Sequence, residues 1–146
     1  MTTANASGEG SIGVLICDDD AQIRTMLRSV LELRPSLRTV GEAGNGNEAI
    51  AEAARLQPDV ILLDLAMPQR TGLESLSELM RVAPEARIIV FSGFSAARVA
   101  EEVIGLGAVL YLSKGAAPDA INDAIEQVAS ETVPSQARAT QKRRQV

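Results

Sequence analysis

Residues 12–20 read IGVLICDDD. Six apolar or small residues run directly into three acids. A run this short, apolar throughout and lacking helical spacing, suits a strand buried on both faces. Such a strand needs helices above and below it, and parallel neighbours beside it. The acids then stand at the strand's carboxyl end. Asp20 is placed to cap the following helix, whose apolar face is Ile23, Met26, Leu27, Val30 and Leu31, with Pro35 beyond its end.

The same alternation continues along the chain. Thr39–Ala43 reads as a second strand, Gly44–Asn47 as a turn, and Glu48–Leu56 as a helix. Val60–Leu65 (VILLDL) is a third strand, and Met67–Gly72, with Pro68, is a loop. Leu73, Leu76, Leu79 and Met80 mark a helix closed by Pro84. Arg87–Phe91 (RIIVF) is a fourth strand, and Ala96–Ile104 a helix ended by Gly105 and Gly107. Val109–Leu112 is a fifth strand. Ile121, Ala124, Ile125 and Val128 face the last helix, which Pro118 helps to start. Five strands alternating with five helices predict an α/β fold, a flavodoxin-like, doubly wound, five-stranded parallel sheet in the order 2-1-3-4-5. In that order the first and third strands are neighbours, and a crevice opens beyond their carboxyl ends. Residues 1–11 are expected to be disordered, 12–130 to form one domain, and 131–146 to be a basic tail or linker.

Composition narrows the function. The chain has 146 residues, 46% apolar, which is enough for one real core. It has no histidine, so a Ser-His-Asp triad, a histidine-ligated metal and a phosphohistidine on the chain itself are excluded. Phe91, Phe94 and Tyr111 are the only aromatics, too few for a base-stacking platform. Cys17, the single cysteine, forms neither an intrachain disulfide nor a four-cysteine zinc site. No apolar run reaches the ~18 residues of a membrane span, and the N-terminus lacks the pattern of a signal peptide. A cytoplasmic protein without membrane contact is expected. The net charge is −5, and Arg138, Lys142, Arg143 and Arg144 cluster in the tail, so the body is more acidic still. Direct nucleic-acid binding by the body is not expected.

The polar residues at the strand ends carry the chemistry. Asp18, Asp19 and Asp20 follow the first strand, Asp64 ends the third, Ser92 follows the fourth and Lys114 the fifth. All fall on the edge where the topology puts the crevice. Carboxylates held together there repel, by on the order of 4 kcal/mol per pair at 4 Å and an effective dielectric of 20. Cations must compensate. Lys114, the only lysine in the body, supplies one charge, and Mg²⁺, which takes oxygen ligands, supplies two more. With that ion present one carboxylate could accept a phosphoryl group without a general base. The ammonium would act as a compact point charge on the transferring oxygens, and the Ser92 hydroxyl could bond one of them.

Four motifs in order resemble the response-regulator receiver domain of two-component signalling, a CheY-like family. They are VLICDDD (Val14–Asp20), VILLDLAMP (Val60–Pro68) with Gly72 after it, IIVFSG (Ile88–Gly93) and YLSKG (Tyr111–Gly115). The resemblance covers about residues 12–130. It implies that Asp18 and Asp19 hold Mg²⁺, Asp19 more directly and Asp18 partly through water. It implies Asp64 as phosphoacceptor and metal ligand, and the Ala66 backbone carbonyl as a further ligand. Ser92 matches the hydroxyl position, Lys114 the lysine, and Tyr111 an aromatic switch residue that moves with Ser92.

The chain also departs from that pattern. Gly115 follows the lysine where a proline with a cis bond is common, so the loop is expected to be built differently. The K-G-A run and GEAGNGNEA (Gly41–Ala49) look most like receivers attached to LuxR-type helix-turn-helix domains. Those usually place glycine before the tyrosine. Here it is Leu110, whose bulk could crowd the tyrosine's path. Residues 131–146 are too few for a DNA-binding domain. The expected function is a phospho-accepting switch in a phosphorelay. The partners are a histidine kinase or histidine phosphotransfer protein and a downstream output protein or missing output domain, and a homodimer is open to it. The alternative is a phosphorylation-independent interaction module on the same fold. A phosphatase is disfavoured, because Ala66 stands where its general acid would be. Beyond its own phosphotransfer and hydrolysis, the domain is not expected to turn over a substrate.

Overall fold

Burial on both faces is visible residue by residue in the three central strands of a computed structural model of the chain, which describes residues 11–67, 70–93 and 97–131. Strand β1 spans Ile12–Cys17, and every residue after Ile12 is buried. Val14 and Ile16 point into one core, Leu15 and Cys17 into the other, as the two-residue period of a strand requires. The remaining elements are α1 (Ala21–Leu31), β2 (Leu37–Ala43), α2 (Gly46–Leu56), β3 (Val60–Leu63), α3 (Gly72–Val82), β4 (Arg87–Ser92), α4 (Ala97–Gly105), β5 (Leu110–Ser113) and α5 (Pro118–Ser130). The strands pair in parallel in the order β2-β1-β3-β4-β5. This is the flavodoxin-like sheet expected from the alternation.

Two cores separate the sheet from its helices. Leu15, Ile61, Leu63, Ile88 and Val90 pack with Ala49 and Ala53 of α2, Leu76 and Leu79 of α3, and Val103 of α4. Val14, Ile16, Leu62, Ile89 and Phe91 pack with Leu27, Val30 and Leu31 of α1 and Ile121, Ile125 and Val128 of α5. The buried amide of Asn122 also ties α5 to α1, its Nδ2 donating to the Val30 carbonyl at 2.8 Å.

Several boundaries differ from expectation, each for a local reason. Strand β2 begins at Leu37 rather than Thr39, because Leu37 is buried and pairs with Ile12 while Arg38 lies exposed. Gly46 and Asn47 are helical rather than part of a turn. Asn45 caps α2 by accepting from the Glu48 N–H at 2.8 Å. Strand β3 stops at Leu63, one residue before Asp64, and β4 runs on through Ser92. β5 is displaced by one residue, to Leu110–Ser113, and α4 is described over Ala97–Gly105, while Ala96, its expected first residue, lies outside the described residues. The expected N-terminal disorder and basic tail fall on residues outside the described set, apart from Ser11 and Glu131. So do Pro68 and Phe94.

Candidate functional site

At the end of β1 the Asp18 N–H still bonds the Ala43 carbonyl of β2, at 2.9 Å. The chain then turns sharply. The Asp20 N–H donates to Asp18 Oδ1 at 2.9 Å, and Asp20 Oδ1 accepts from the Gln22 N–H at 2.9 Å, capping α1 as expected. This turn buries the Asp18 side chain and leaves Asp19 exposed.

Asp64 follows β3 and is buried, with its N–H bonded to the Cys17 carbonyl at 2.9 Å. The loop after it folds back onto it. Gly72 donates to the Leu65 carbonyl at 3.0 Å, and a Cβ at Gly72 would stand 2.0 Å from the Asp64 carbonyl oxygen. Only a glycine allows that approach. Thr71 and Glu74 then close α3 with a reciprocal capping box.

Ser92 is fully buried at the end of β4, and its carbonyl accepts from the Lys114 N–H at 2.9 Å. The hydroxyl and the ammonium are thus carried on adjacent strands in fixed register. Lys114 Nζ stands 2.7 Å from Asp18 Oδ2 and 3.5 Å from Asp64 Oδ2. The shorter contact is a close ion pair, off the axis of a good hydrogen bond. After it the chain turns tightly, with Gly115 N–H bonded to Ser113 Oγ and Ala116 N–H to the Ser113 carbonyl. The described residues contain no cis peptide bond.

Asp18, Asp19, Asp20, Asp64, Ala66, Ser92, Gly93 and Lys114 line one crevice. The sequence-derived residues therefore meet, with the exception of Tyr111. Its ring packs against the core between the sheet and α2–α4, and its hydroxyl is buried without a hydrogen-bond partner. Leu110 does not crowd it: that side chain lies on the opposite face, in the core under α1 and α5. Adjacent strand residues point to opposite faces.

Oxygen atoms of Asp18, Asp19 and Asp64 come within 4.8 Å of one another. Burial raises the Asp64 carboxyl above its usual value, and the Asp18 charge adds to this, against the pull of Lys114 and the Ala66 N–H. Burial alone would lower the Lys114 ammonium. The Asp18 and Asp64 carboxylates outweigh it and raise the value. One ammonium thus faces three carboxylates, leaving the site short of positive charge. The all-oxygen donor set, with one ligand exposed, fits a hard divalent cation that keeps some of its water. Cys17, next to this cluster, is buried, and burial with the Asp18 charge pushes its thiol far up, so it is inert as a nucleophile.

Sequence reasoning gave no role to two residues near this site. Arg24 of α1 donates through Nη1 to the Asp18 carbonyl at 2.6 Å and through Nε to Glu42 Oε1 of β2 at 3.0 Å. The available signal was a cation in the opening turns of a helix, where the helix dipole disfavours one.

Comparison with known proteins agrees with the geometry. Residues 14–126 match the response regulator receiver domain family. The chain is 34% identical over 115 residues to the chemotaxis protein CheY of Thermotoga maritima, covering 79% of this chain and 95% of CheY. It is 38% identical over 117 residues to the nitrate/nitrite response regulator protein NarL of Escherichia coli K12, covering 80% of this chain and 54% of NarL. It thus spans about half the length of NarL-type relatives. The crystal structure of the response regulator domain of Thermotoga maritima CheB superposes with a TM-score of 0.77 at 30% identity, over 83% of this chain and 98% of that one. No helix among the described residues is long and apolar enough to cross a membrane. Fold, strand-end residues and relatives agree: the chain belongs to the response regulator receiver domain family of two-component signalling.

Proposed function

We propose that this domain accepts a phosphoryl group on Asp64 from a phosphohistidine of a partner histidine kinase or phosphotransfer protein, and uses it to change its own interaction surface. The observation that carries this reading is the convergence of Asp64, Asp18, Asp19 and Lys114 in one crevice. An Asp64 carboxylate oxygen attacks phosphorus as the bond from phosphorus to the partner's imidazole nitrogen breaks, and the imidazole leaves. No general base is needed, consistent with a chain that has no histidine.

Asp18, Asp19 and Asp64, with the Ala66 backbone carbonyl, would hold Mg²⁺. When bound, the ion supplies positive charge to the phosphoryl oxygens. Lys114 places its ammonium beside the Asp64 oxygen that reacts. Ser92 moves with the phosphoryl group, and the vacated space admits Tyr111, whose unpartnered hydroxyl is free to change surroundings. The surface of α4, β5 and α5 then offers a different face to an output protein or output domain. The domain turns over no separate substrate and acts in the cytoplasm, as residues 12–130, with 131–146 as tail or linker.

Incubation with acetyl phosphate and Mg²⁺ should add one acid-stable, base-labile phosphoryl group, and Asp64→Ala should add none. Equal modification of the variant would overturn the assignment. Partner binding insensitive to phosphodonor and to Asp64→Asn would favour a phosphorylation-independent module instead.

A further inference from the structure

We propose that Arg24, anchored by Glu42, is a positioning residue that sets the divalent-cation affinity of the site by fixing the peptide between Asp18 and Asp19. The inference rests on the reading of these acids as metal ligands.

Asp18 has every polar group engaged. Its N–H bonds the Ala43 carbonyl, Oδ1 accepts from Asp20 N–H, and Oδ2 faces Lys114. Its carbonyl has left the β-ladder, and Arg24 Nη1 takes it at 2.6 Å. The Asp18–Asp19 peptide is planar. Holding that carbonyl therefore orients the amide of Asp19 and the direction in which Asp19 leaves the turn. The pocket that Arg24, Glu42 and Glu48 line also includes Asp19.

Glu42 holds Arg24 through Oε1, while Arg28 bonds Oε2. Glu42 reaches α1 only because β2 is bulged. Val14 pairs with Thr39, but Leu15 pairs with Gly41, so Val40 is extra. Leu37 and Ala43, six residues apart, would share a face of a regular strand, yet they lie in opposite cores. The bulge thus turns Glu42 to the side of α1. Burial would raise the Glu42 carboxyl, but Arg28 and Arg24 lower it, so it remains charged. Arg24 itself stands at the fourth residue of α1, where the helix dipole opposes a cation. A cation kept against the local preference is expected where a site needs it.

Electrostatics and positioning predict opposite signs. Removing a cation near three carboxylates should tighten Mg²⁺ binding if Arg24 acts only by its charge. The full chain, Arg24→Gln, Arg24→Lys, Glu42→Gln, the double variant and Asp19→Asn are titrated with Mg²⁺ alone by calorimetry, after circular dichroism establishes that each is folded. Arg24→Gln and Glu42→Gln should each weaken binding about 10–100-fold, the range typical of residues that orient metal ligands. The double variant should be no worse than the weaker single. Arg24→Lys, which keeps the charge without the two-armed donor, should not restore affinity. Should Arg24→Gln fail to fold, Arg24→Lys decides: weakened binding with the charge kept supports positioning, and binding like that of the parent overturns it. Unchanged or tighter binding in Arg24→Gln, with Asp19→Asn weakened, overturns the inference alone. Unchanged binding in Asp19→Asn overturns the metal reading beneath it.

Discussion

The Lys114 ammonium lies closer to Asp18 than to Asp64, 2.7 Å against 3.5 Å. The one cation in the crevice therefore pairs mainly with the buried acid after β1. Asp64 is left as the less compensated carboxylate, raised by burial and by the Asp18 charge. Without a metal, a carboxylate held this way costs the fold stability at neutral pH.

Removing the ammonium should expose that imbalance. Lys114→Ala leaves two buried carboxylates facing each other. It should cost roughly 1–3 kcal/mol at neutral pH, about the cost of leaving a buried polar group without its partner, since Lys114 is itself partly exposed. Urea denaturation measures the loss. Addition of Mg²⁺ should recover part of it, and no recovery would argue against metal binding beside Lys114.

Asp64→Asn should act in the other direction. The raised carboxyl means that folding favours its neutral form. Its ionised form is therefore a penalty at neutral pH, and the penalty fades as pH falls through the folded value and below the usual 3.8. The variant should be more stable than the parent at pH 7 without metal, by on the order of 1 kcal/mol, with the difference vanishing in acid. Denaturation at several pH values tests this. Mg²⁺ should stabilise the parent more than the variant.

Gly72 and Gly105 form a contrasting pair. A Cβ at Gly72 would meet the Asp64 carbonyl oxygen at 2.0 Å, whereas Gly105 has nothing within 4 Å. Gly72→Ala must shift backbone beneath Asp64 and should cost roughly 2 kcal/mol or more. Gly105→Ala, at the end of α4, should be neutral or stabilising by up to about 1 kcal/mol. Thermal melts separate the two.

Cys17 should be silent to thiol reagents in the native state. It is buried, and burial with the Asp18 charge raises its thiol well above the ordinary value. Labelling should become stoichiometric only in denaturant. Rapid native labelling would mean that the end of β1 opens readily.

Much of this was legible in the chain itself. The short apolar runs ending in Asp18, Asp64, Ser92 and Lys114 dictate parallel strands, and parallel strands put those residues on one edge whatever the side-chain packing. Local periodicity is enough for that, because strand and helix periods are properties of the backbone. Contacts between elements were not legible. Whether Lys114 sides with Asp18 or Asp64 depends on the register of β5 against β4 and on the turn that buries Asp18. The Glu42–Arg24 link depends on the Val40 bulge, a one-residue slip that reverses a face and leaves no periodic trace in LRTVGEA. Leu110 and Tyr111 are neighbours in the chain yet belong to opposite cores. The residues of the site and its place on the sheet thus follow from the sequence alone, through short-range backbone geometry. The pairings among those residues were decided only by tertiary packing, because hydrogen bonds and ion pairs form where the bulge, the strand register and the close approach of Gly72 bring distant atoms within reach.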